Sequence, residues 1–233
     1  AGVDAGVAKP DAGIVDAGAA PVFDAGTVPV GLKLMPLGDS ITAEEWAWRC
    51  ALSKLLPSVT FVGSVRNQYD RTCAPQHDGH PGYTIGDING SLQNWLTGTR
   101  PDVVVLMAGT NDIAWWTTEN GTQVADRLDA MVTRIQTILP GVRIIVATIP
   151  PQSSSIIQPN GVNRSTLASQ FNVRVRTNTQ MRISSGQRVA LGDVEAGLTL
   201  SDLRDGIHPS TSAGINKISP VFGQAFQRVM LVP

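Results

Sequence analysis

The sequence predicts an α/β protein, a three-layer α/β/α sandwich built on one doubly wound parallel sheet. Apolar segments of strand length alternate with segments whose apolar residues recur at helical spacing. This alternation is typical of a parallel sheet covered by helices on both faces. The segment from Asp102 to Met107 contains a continuous apolar run, as expected of a strand buried on both faces. The chain has 233 residues, of which 42% are hydrophobic, and this is ordinary for a globular core.

Five strands are predicted from short apolar runs that end at glycine, proline or polar residues. The first stops at Gly38, the third at Gly109 and the fourth at Pro150. The polar stretch 63–82, which follows the second strand, is expected to be a surface loop. The predicted strands cover residues 32–38, 59–62, 102–107, 142–149 and 189–191.

Five helices are predicted from apolar residues spaced three or four apart. The clearest covers residues 122–139, and Gly141 stands just beyond its end, as a helix C-terminus favours. The first helix is closed by Pro57, and the loop 151–162 is long and polar. The predicted helices cover residues 43–56, 84–96, 122–139, 164–183 and 212–231.

Residues 1–30 differ in composition from the rest of the chain. They consist mainly of Ala, Gly, Val, Pro and Asp, and the tripeptide Asp-Ala-Gly occurs four times. Such a segment buries too little apolar surface to offset its ordering entropy. We expect a flexible tether over 1–30 ahead of one domain over 31–233, the alternative being an amino terminus without a role. Tethers of this kind commonly join an enzyme to an envelope anchor or another module, so we expect a secreted or envelope-tethered protein.

The two cysteines, Cys50 and Cys73, lie in neither a C-x-x-C pair nor a metal-ligand spacing. Both would fit as small buried hydrophobic side chains. A single disulfide between the first helix and the following loop is favoured, because disulfides persist in exported proteins.

The charge of the chain limits its partners. The formal net charge is -1 and the pI about 6.3, so no basic surface for nucleic acid or anionic lipid is expected. No apolar run approaches the roughly 20 residues that span a bilayer, and no signal peptide pattern is present at the amino end. We expect a monomer that acts on a small neutral or mildly polar substrate.

Polar clusters follow the ends of predicted strands. Asp39 and Ser40 follow the first strand, Asn111 follows the third, and Asp205 and His208 precede the last helix. Because the carboxyl ends of parallel strands meet at one edge of a sheet, these clusters are expected to lie together. Taken alone, Asp39 or Ser40 would be interpreted as an N-cap of the first helix.

Together these residues supply the parts of a serine esterase. Ser40 offers the hydroxyl, His208 an imidazole base and Asp205 a carboxylate three residues before that base. The amides of Ser40 and Gly82 and the side chain of Asn111 are candidate donors to an oxyanion. Gly82 would otherwise be a turn residue, and Asn111 would satisfy loop backbone groups. No G-x-S-x-G motif occurs, which argues against an ordinary α/β-hydrolase.

Four sequence blocks carry a family resemblance. GDS, HPGYT, GTND and DGIHP occur in that order and resemble the SGNH superfamily of GDSL-type hydrolases. The resemblance covers Leu32 to Val229 and implies the SGNH hydrolase fold with a flavodoxin-like sheet. It assigns Ser40 as nucleophile, His208 as base with Asp205 as its orienter, and Gly82 and Asn111 as oxyanion donors.

Longer segments resemble one branch of that superfamily. HDGHPGYTIGDI at 77–88 and PDVVVLMAGTNDI at 101–113 resemble carbohydrate esterase family 3, whose members remove acetyl groups from xylan and related polysaccharides. The start of the last helix departs from that family, since AGINKI at 213–218 stands where a Gly-Tyr-x-x-Met-Ala-like run is expected.

Aromatic and histidine side chains are expected around the site. Trp115 and Trp116 follow the GTND block and would form a sugar-stacking wall, unless one of them belongs to the core. His77 and His80 flank Asp78, but no third or fourth metal ligand stands out, so we expect a loop at the pocket rim, with His80 near the substrate.

These observations predict a serine esterase that needs no metal or cofactor and removes O-acetyl groups from a polysaccharide or oligosaccharide through an acetyl-enzyme. The alternatives are a lipase, lysophospholipase or thioesterase of the same superfamily, and an inactive carbohydrate-binding domain.

Overall fold

A parallel sheet forms the centre of the protein. The computed structural model describes residues 31–43, 46–66, 75–115 and 118–233, so the predicted tether over 1–30 lies outside the described residues. All pairings between the strands of the sheet are parallel. The strands are β1 (Lys33–Gly38), β2 (Thr60–Phe61), β3 (Asp78–Gly79), β4 (Val103–Met107), β5 (Arg143–Ala147) and β6 (Val189–Gly192).

Helices connect the strands, and reciprocal capping boxes fix where two of them begin. The hydroxyl of Thr84 accepts the amide of Asp87, whose carboxylate accepts the amide of Thr84, and Asn120 and Gln123 make the same reciprocal pair. The helices are α1 (Ser40–Ala43), α2 (Trp46–Leu55), α3 (Ile85–Thr99), α4 (Thr110–Ala114), α5 (Gly121–Ile138), α6 (Arg164–Ser184), α7 (Thr211–Ala213) and α8 (Ser219–Met230).

The strand order confirms the predicted flavodoxin-like sheet. The order is β2-β1-β4-β5-β6, and β3 pairs with β1 alone. Without β3, this is the 2-1-3-4-5 order of flavodoxin-like folds, in which the order reverses between the first and third main strands. Here that reversal lies between β1 and β4, the two strands that lead to Ser40 and Asn111.

The short strand β3 was not predicted, because 63–82 was expected to be a loop throughout. β2 pairs with Lys33 and Leu34 at the start of β1, and β3 pairs with Leu37 and Gly38 at its end. Since β4 occupies the other edge of β1, β2 and β3 share one edge. Two residues are too few to show a period in sequence.

Two apolar cores lie on opposite faces of the sheet and confirm the three layers. Alternate residues of β4 serve the two sides, with Val104 in one core and Val105 in the other. One core contains the buried faces of α3, α5 and α6. The other contains those of α2 and α8, where the rings of Trp48 and Phe222 lie 4.8 Å apart.

The last predicted helix is interrupted. Where one helix was expected over 212–231, α7 passes into a π-helical turn, Gly214–Ile218, and then into α8. This turn coincides with the segment that departs from the carbohydrate esterase family 3 pattern. None of the helices among the described residues combines the length and the apolar character of a membrane span.

Candidate active site

The turn after β1 places Ser40 at the carboxyl edge of the sheet. A side chain at Gly38 would lie 2.1 Å from the carbonyl oxygen of Met107 in β4, so only glycine fits between the strands. Asp39 is fully buried, and its Oδ1 accepts the amide of Ile41 at 3.0 Å. Asp39 therefore performs the capping role, which leaves the hydroxyl of Ser40 available for chemistry.

Burial also changes the acidity of Asp39. It raises the pKa of this carboxyl to about 6, although the Ile41 amide and Thr110 act in the opposite direction. Ser40 itself is 5% exposed. The nucleophile candidate thus stands beside a carboxyl group that is protonated more readily than usual.

Ser40, His208 and Asp205 form an unbroken chain of hydrogen bonds. The Oγ atom of Ser40 lies 2.8 Å from Nε2 of His208, and Nδ1 of His208 lies 2.8 Å from Oδ2 of Asp205. The second oxygen of Asp205 accepts the amides of Ile207 and His208 at 3.0 and 2.7 Å. The structure therefore brings together the three residues that were predicted to act as nucleophile, base and orienter.

The charge of Asp205 selects the tautomer of His208. Partial burial raises the pKa of Asp205, but the amide and imidazole of His208 and the amide of Ile207 together hold it below its usual value. An ionised carboxylate only accepts, so Nδ1 of His208 carries the proton and Nε2 is free to accept the Ser40 hydroxyl proton. This is the protonation pattern of a serine nucleophile with its general base.

Backbone bonds hold the loop that carries Asp205 and His208. Leu203 and Pro209 form an isolated antiparallel bridge, and the amide of Arg204 donates to the carbonyl of His208. The carboxylate of Asp202, just before the loop, pairs with Lys217 of the π-helical turn at 2.8 Å. The unusual helical turn is thus connected directly to the loop that presents the base.

Two backbone amides, those of Ser40 and Gly82, have free N–H groups among the described residues, as an oxyanion donor requires. Within the described ranges, the N–H groups of Ser40 and Gly82 meet no hydrogen-bond acceptor. Gly82 has a φ of +79°, and a Cβ there would meet nothing within 4 Å. Glycine is therefore required by the backbone conformation rather than by crowding.

Asn111 joins the Gly82 loop to α4. Its Nδ2 donates to the carbonyl of Tyr83 at 2.8 Å, and the side chain is 7% exposed. The Tyr83 carbonyl takes one of the two Nδ2 hydrogens, and no other acceptor among the described residues takes the second. One N–H of Asn111 is therefore left without an acceptor among the described residues, and its role as an oxyanion donor stays a prediction.

Asp112 connects the same region to the neighbouring helices. One of its oxygens accepts the amide of Ile85, the first residue of α3, at 2.9 Å, and the other lies 2.8 Å from the guanidinium of Arg127 in α5. Three helices are therefore joined at the residue that follows Asn111.

Two buried glutamines that were not predicted as site residues support α4. Nε2 of Gln158 donates to the carbonyls of Ile113 and Ala114, and Nε2 of Gln152 donates to the carbonyl of Thr110. These bonds satisfy carbonyl groups of α4 and hold the loop between β5 and α6 against it. Glutamine in a polar loop gives no sequence signal for such a role.

The buried guanidinium of Arg49 holds the start of the segment that leads to Gly82. Arg49 is fully buried and donates to the carbonyls of Ala43 and Pro75 at 2.8 and 2.9 Å. Asp78, also buried, accepts the amide and the hydroxyl of Ser64.

No group of three or more potential metal ligands occurs in the described part of the chain.

His80 belongs to an aromatic cluster. Its ring stacks on Trp95 with centroids 4.3 Å apart and on Tyr83 with centroids 4.9 Å apart, and its side chain is 18% exposed. The faces of the ring are thus largely taken up by protein, and the contact of His80 with substrate stays a prediction.

His77 gives rise to a prediction about acid stability. Burial, followed by the charges of Arg49 and His80, lowers the pKa of His77 to about 3, and its Nδ1 accepts the amide of Gly79 at 3.0 Å. The neutral imidazole is favoured in the folded state, so its stabilising contribution is complete above the unfolded value of roughly 6.5 and is lost as the pH falls toward 3.

We expect the titration of His77 to lower the free energy of unfolding by about 2 kcal/mol when the pH falls from 7 to 5. His77→Asn keeps an acceptor for the Gly79 amide and does not titrate, so urea unfolding at the two pH values should show a loss smaller by that amount. The raised pKa of Asp39 makes the free energy of unfolding increase as the pH falls. This contribution is the same in both proteins, so the comparison isolates His77. Equal losses in the two proteins would contradict the prediction.

The remaining predicted residues have mixed outcomes. Trp115 is 54% exposed, and its Nε1 donates to Oδ1 of Asn111 at 3.2 Å, whereas Trp116 lies outside the described residues. Cys50 is buried and disulfide-bonded. Cys73 lies outside the described residues, so their pairing stays a prediction.

Comparisons with known proteins agree with this geometry. The model of the GDSL-like Lipase/Acylhydrolase family matches residues 37–213. A multidomain esterase of Ruminococcus flavefaciens is 28% identical over 217 residues, which cover 77% of this chain and 26% of that protein. The chain therefore spans about a quarter of that relative.

Two solved structures resemble the chain over most of its length. A family 3 carbohydrate esterase of Clostridium thermocellum matches with a TM-score of 0.72 and 27% identity, covering 87% of this chain and 100% of that one. An acetyl esterase with a serine-to-alanine mutation, solved with an acetate ion, matches with a TM-score of 0.69 and 28% identity, covering 85% and 98%. The chain belongs to the GDSL-like Lipase/Acylhydrolase family and is a carboxylic ester hydrolase of the SGNH type.

Proposed function

We propose that the protein is a serine esterase that removes O-acetyl groups from a carbohydrate by way of an acetyl-enzyme. The observation that carries the proposal is the continuous hydrogen-bonded chain from Ser40 through His208 to Asp205. The candidate oxyanion donors are the backbone N–H groups of Ser40 and Gly82, which meet no acceptor among the described residues, and the side-chain amide of Asn111. The choice of acetyl and carbohydrate is supported by the likeness to a family 3 carbohydrate esterase and to an acetyl esterase.

In the first half of the reaction, Oγ of Ser40 attacks the acetyl carbonyl carbon while Nε2 of His208 takes the hydroxyl proton. The negative charge that develops on the carbonyl oxygen is stabilised by N–H groups of Ser40, Gly82 and Asn111. The intermediate collapses to acetyl-Ser40, and His208 returns the proton to the departing sugar oxygen. Asp205 keeps the imidazole in the required tautomer and orientation throughout.

In the second half, water attacks the acetyl-enzyme and gives its proton to His208. Acetate leaves, and Ser40 regains its proton from His208. No step requires a metal ion, and each proton taken up by the imidazole is returned within the same half-reaction.

A longer-chain acyl substrate is the second candidate, and one observation favours it. Ile156 and Ile157 are 39% and 70% exposed in the loop between β5 and α6, which Gln158 attaches to α4. An apolar surface at this position would also suit an acyl chain longer than acetyl. An inactive binding domain is disfavoured, because pure binding needs neither a nucleophile nor its base.

Release of acetate from acetylated xylan, acetylated pectin and acetylated chitooligosaccharides, measured side by side, tests the proposal. We expect release from at least one of them, and a preference for 4-nitrophenyl acetate over 4-nitrophenyl octanoate. Preference for octanoate with no acetate released would support the lipase alternative. Binding to a polysaccharide with no ester cleavage would support the binding domain.

A further inference from the structure

The oxyanion hole depends on which way the Asn111 carboxamide faces. Its oxygen only accepts hydrogen bonds and its NH₂ group only donates, so an amide turned by 180° would offer an acceptor where a donor is needed. The terminal torsion of asparagine is broad, and a single contact leaves the plane of the amide loosely defined. A residue that fixes this torsion would therefore act directly on the stabilisation of the transition state.

Two contacts hold the amide at its two ends. Nδ2 donates to the Tyr83 carbonyl at 2.8 Å, and Oδ1 accepts the indole N–H of Trp115 at 3.2 Å. A backbone carbonyl only accepts and an indole N–H only donates, so one orientation alone satisfies both partners. This orientation directs NH₂ toward the Gly82 loop. Donation to Oδ1 also polarises the amide and strengthens its N–H groups as donors.

Trp115 reaches Asn111 from the end of the same short helix, α4. Trp115 stands four residues after Asn111 and closes α4, where its amide donates to the Asn111 carbonyl at 3.1 Å. Residues four apart share one face of a helix, so the indole lies over the asparagine. Because Trp115 is 54% exposed, its ring contributes little to the core, and replacing it should not unfold the protein.

We infer that Trp115 is a positioning residue of the oxyanion hole, which holds the Asn111 amide through its indole N–H. This inference rests on the proposed role of Asn111 and adds to it a residue outside the four sequence blocks. It also separates two contributions of one side chain: the N–H acts through Asn111, whereas the ring face is the part that would touch a sugar.

A double-mutant cycle on the full chain tests the inference. Trp115→Phe removes the N–H and keeps an aromatic ring, and we expect kcat for 4-nitrophenyl acetate to fall about 3- to 10-fold, the effect of one hydrogen bond, with KM changed less than twofold. Asn111→Ala should lower kcat about 10²- to 10³-fold. Adding Trp115→Phe to Asn111→Ala should then have no further effect, because the indole N–H has lost its acceptor.

Each other outcome has a defined meaning when rates are normalised to active enzyme by titration with a serine-reactive organophosphate. An equal loss from Trp115→Phe in both backgrounds, an unchanged kcat, or an effect confined to KM would overturn the inference. If Asn111→Ala itself has no effect, the oxyanion assignment fails instead. Trp115→Ala is the matched variant, because it removes the ring as well as the N–H. It should lower kcat as Trp115→Phe does and, in contrast to Trp115→Phe, should also raise KM for an acetylated xylo-oligosaccharide.

Discussion

Replacing Ser40 by alanine is expected to lower kcat for 4-nitrophenyl acetate by about four to six orders of magnitude. The reason is that Oγ of Ser40 is the atom that His208 contacts at 2.8 Å, and no other hydroxyl is bonded to that imidazole among the described residues. Hydrolysis would then depend on water alone in the oxyanion hole. The measurement is steady-state kinetics together with circular dichroism, which should be unchanged because only one oxygen atom is removed.

Ser185→Ala is the matched control for this variant. The hydroxyl of Ser185 donates to the carbonyl of Met181 at the end of α6. Ser185 precedes the start of β6, at the opposite edge of the sheet from the carboxyl ends that carry the site. Its kcat should equal that of the wild type. A Ser40→Ala protein with a rate within tenfold of the control would require another nucleophile.

His208→Ala is expected to produce a loss of similar size, because the Ser40 hydroxyl is a weak nucleophile without a base. The two residues act as one unit, so the double variant with Ser40→Ala should be no slower than either single variant. Asp205→Ala should cost less, since it leaves the base in place but no longer oriented. Additive losses in the double variant would show that Ser40 and His208 act in separate steps.

Much of the candidate site could be predicted from the sequence, because Ser40 and Asn111 follow strand ends closely and Asp205 and His208 lie in the last loop before the closing helices. Ser40, Asn111, Asp205 and His208 each stand in a short block of characteristic residues, and the alternation of strands and helices places those blocks at one edge.

The supporting contacts could not be predicted in the same way. Asn111 binds the backbone carbonyl of Tyr83, and a carbonyl leaves no residue-specific trace in the sequence. The bond from Trp115 to Asn111 depends on α4, a five-residue helix that is too short to show a hydrophobic period. The π-helical turn likewise lies within a segment whose apolar spacing is compatible with one continuous helix.

The bond between Ser40 and His208 joins residues 168 positions apart in the chain. Nearly the whole domain must be in place before that contact can form, so hydrolysis reports on complete folding rather than on the sheet alone. The loop that carries His208 lies outside the sheet, and segments of this kind open locally at a lower free energy than core strands. We therefore expect inactivation by mild denaturant to precede global unfolding, and a refolding chain to recover its sheet before its activity.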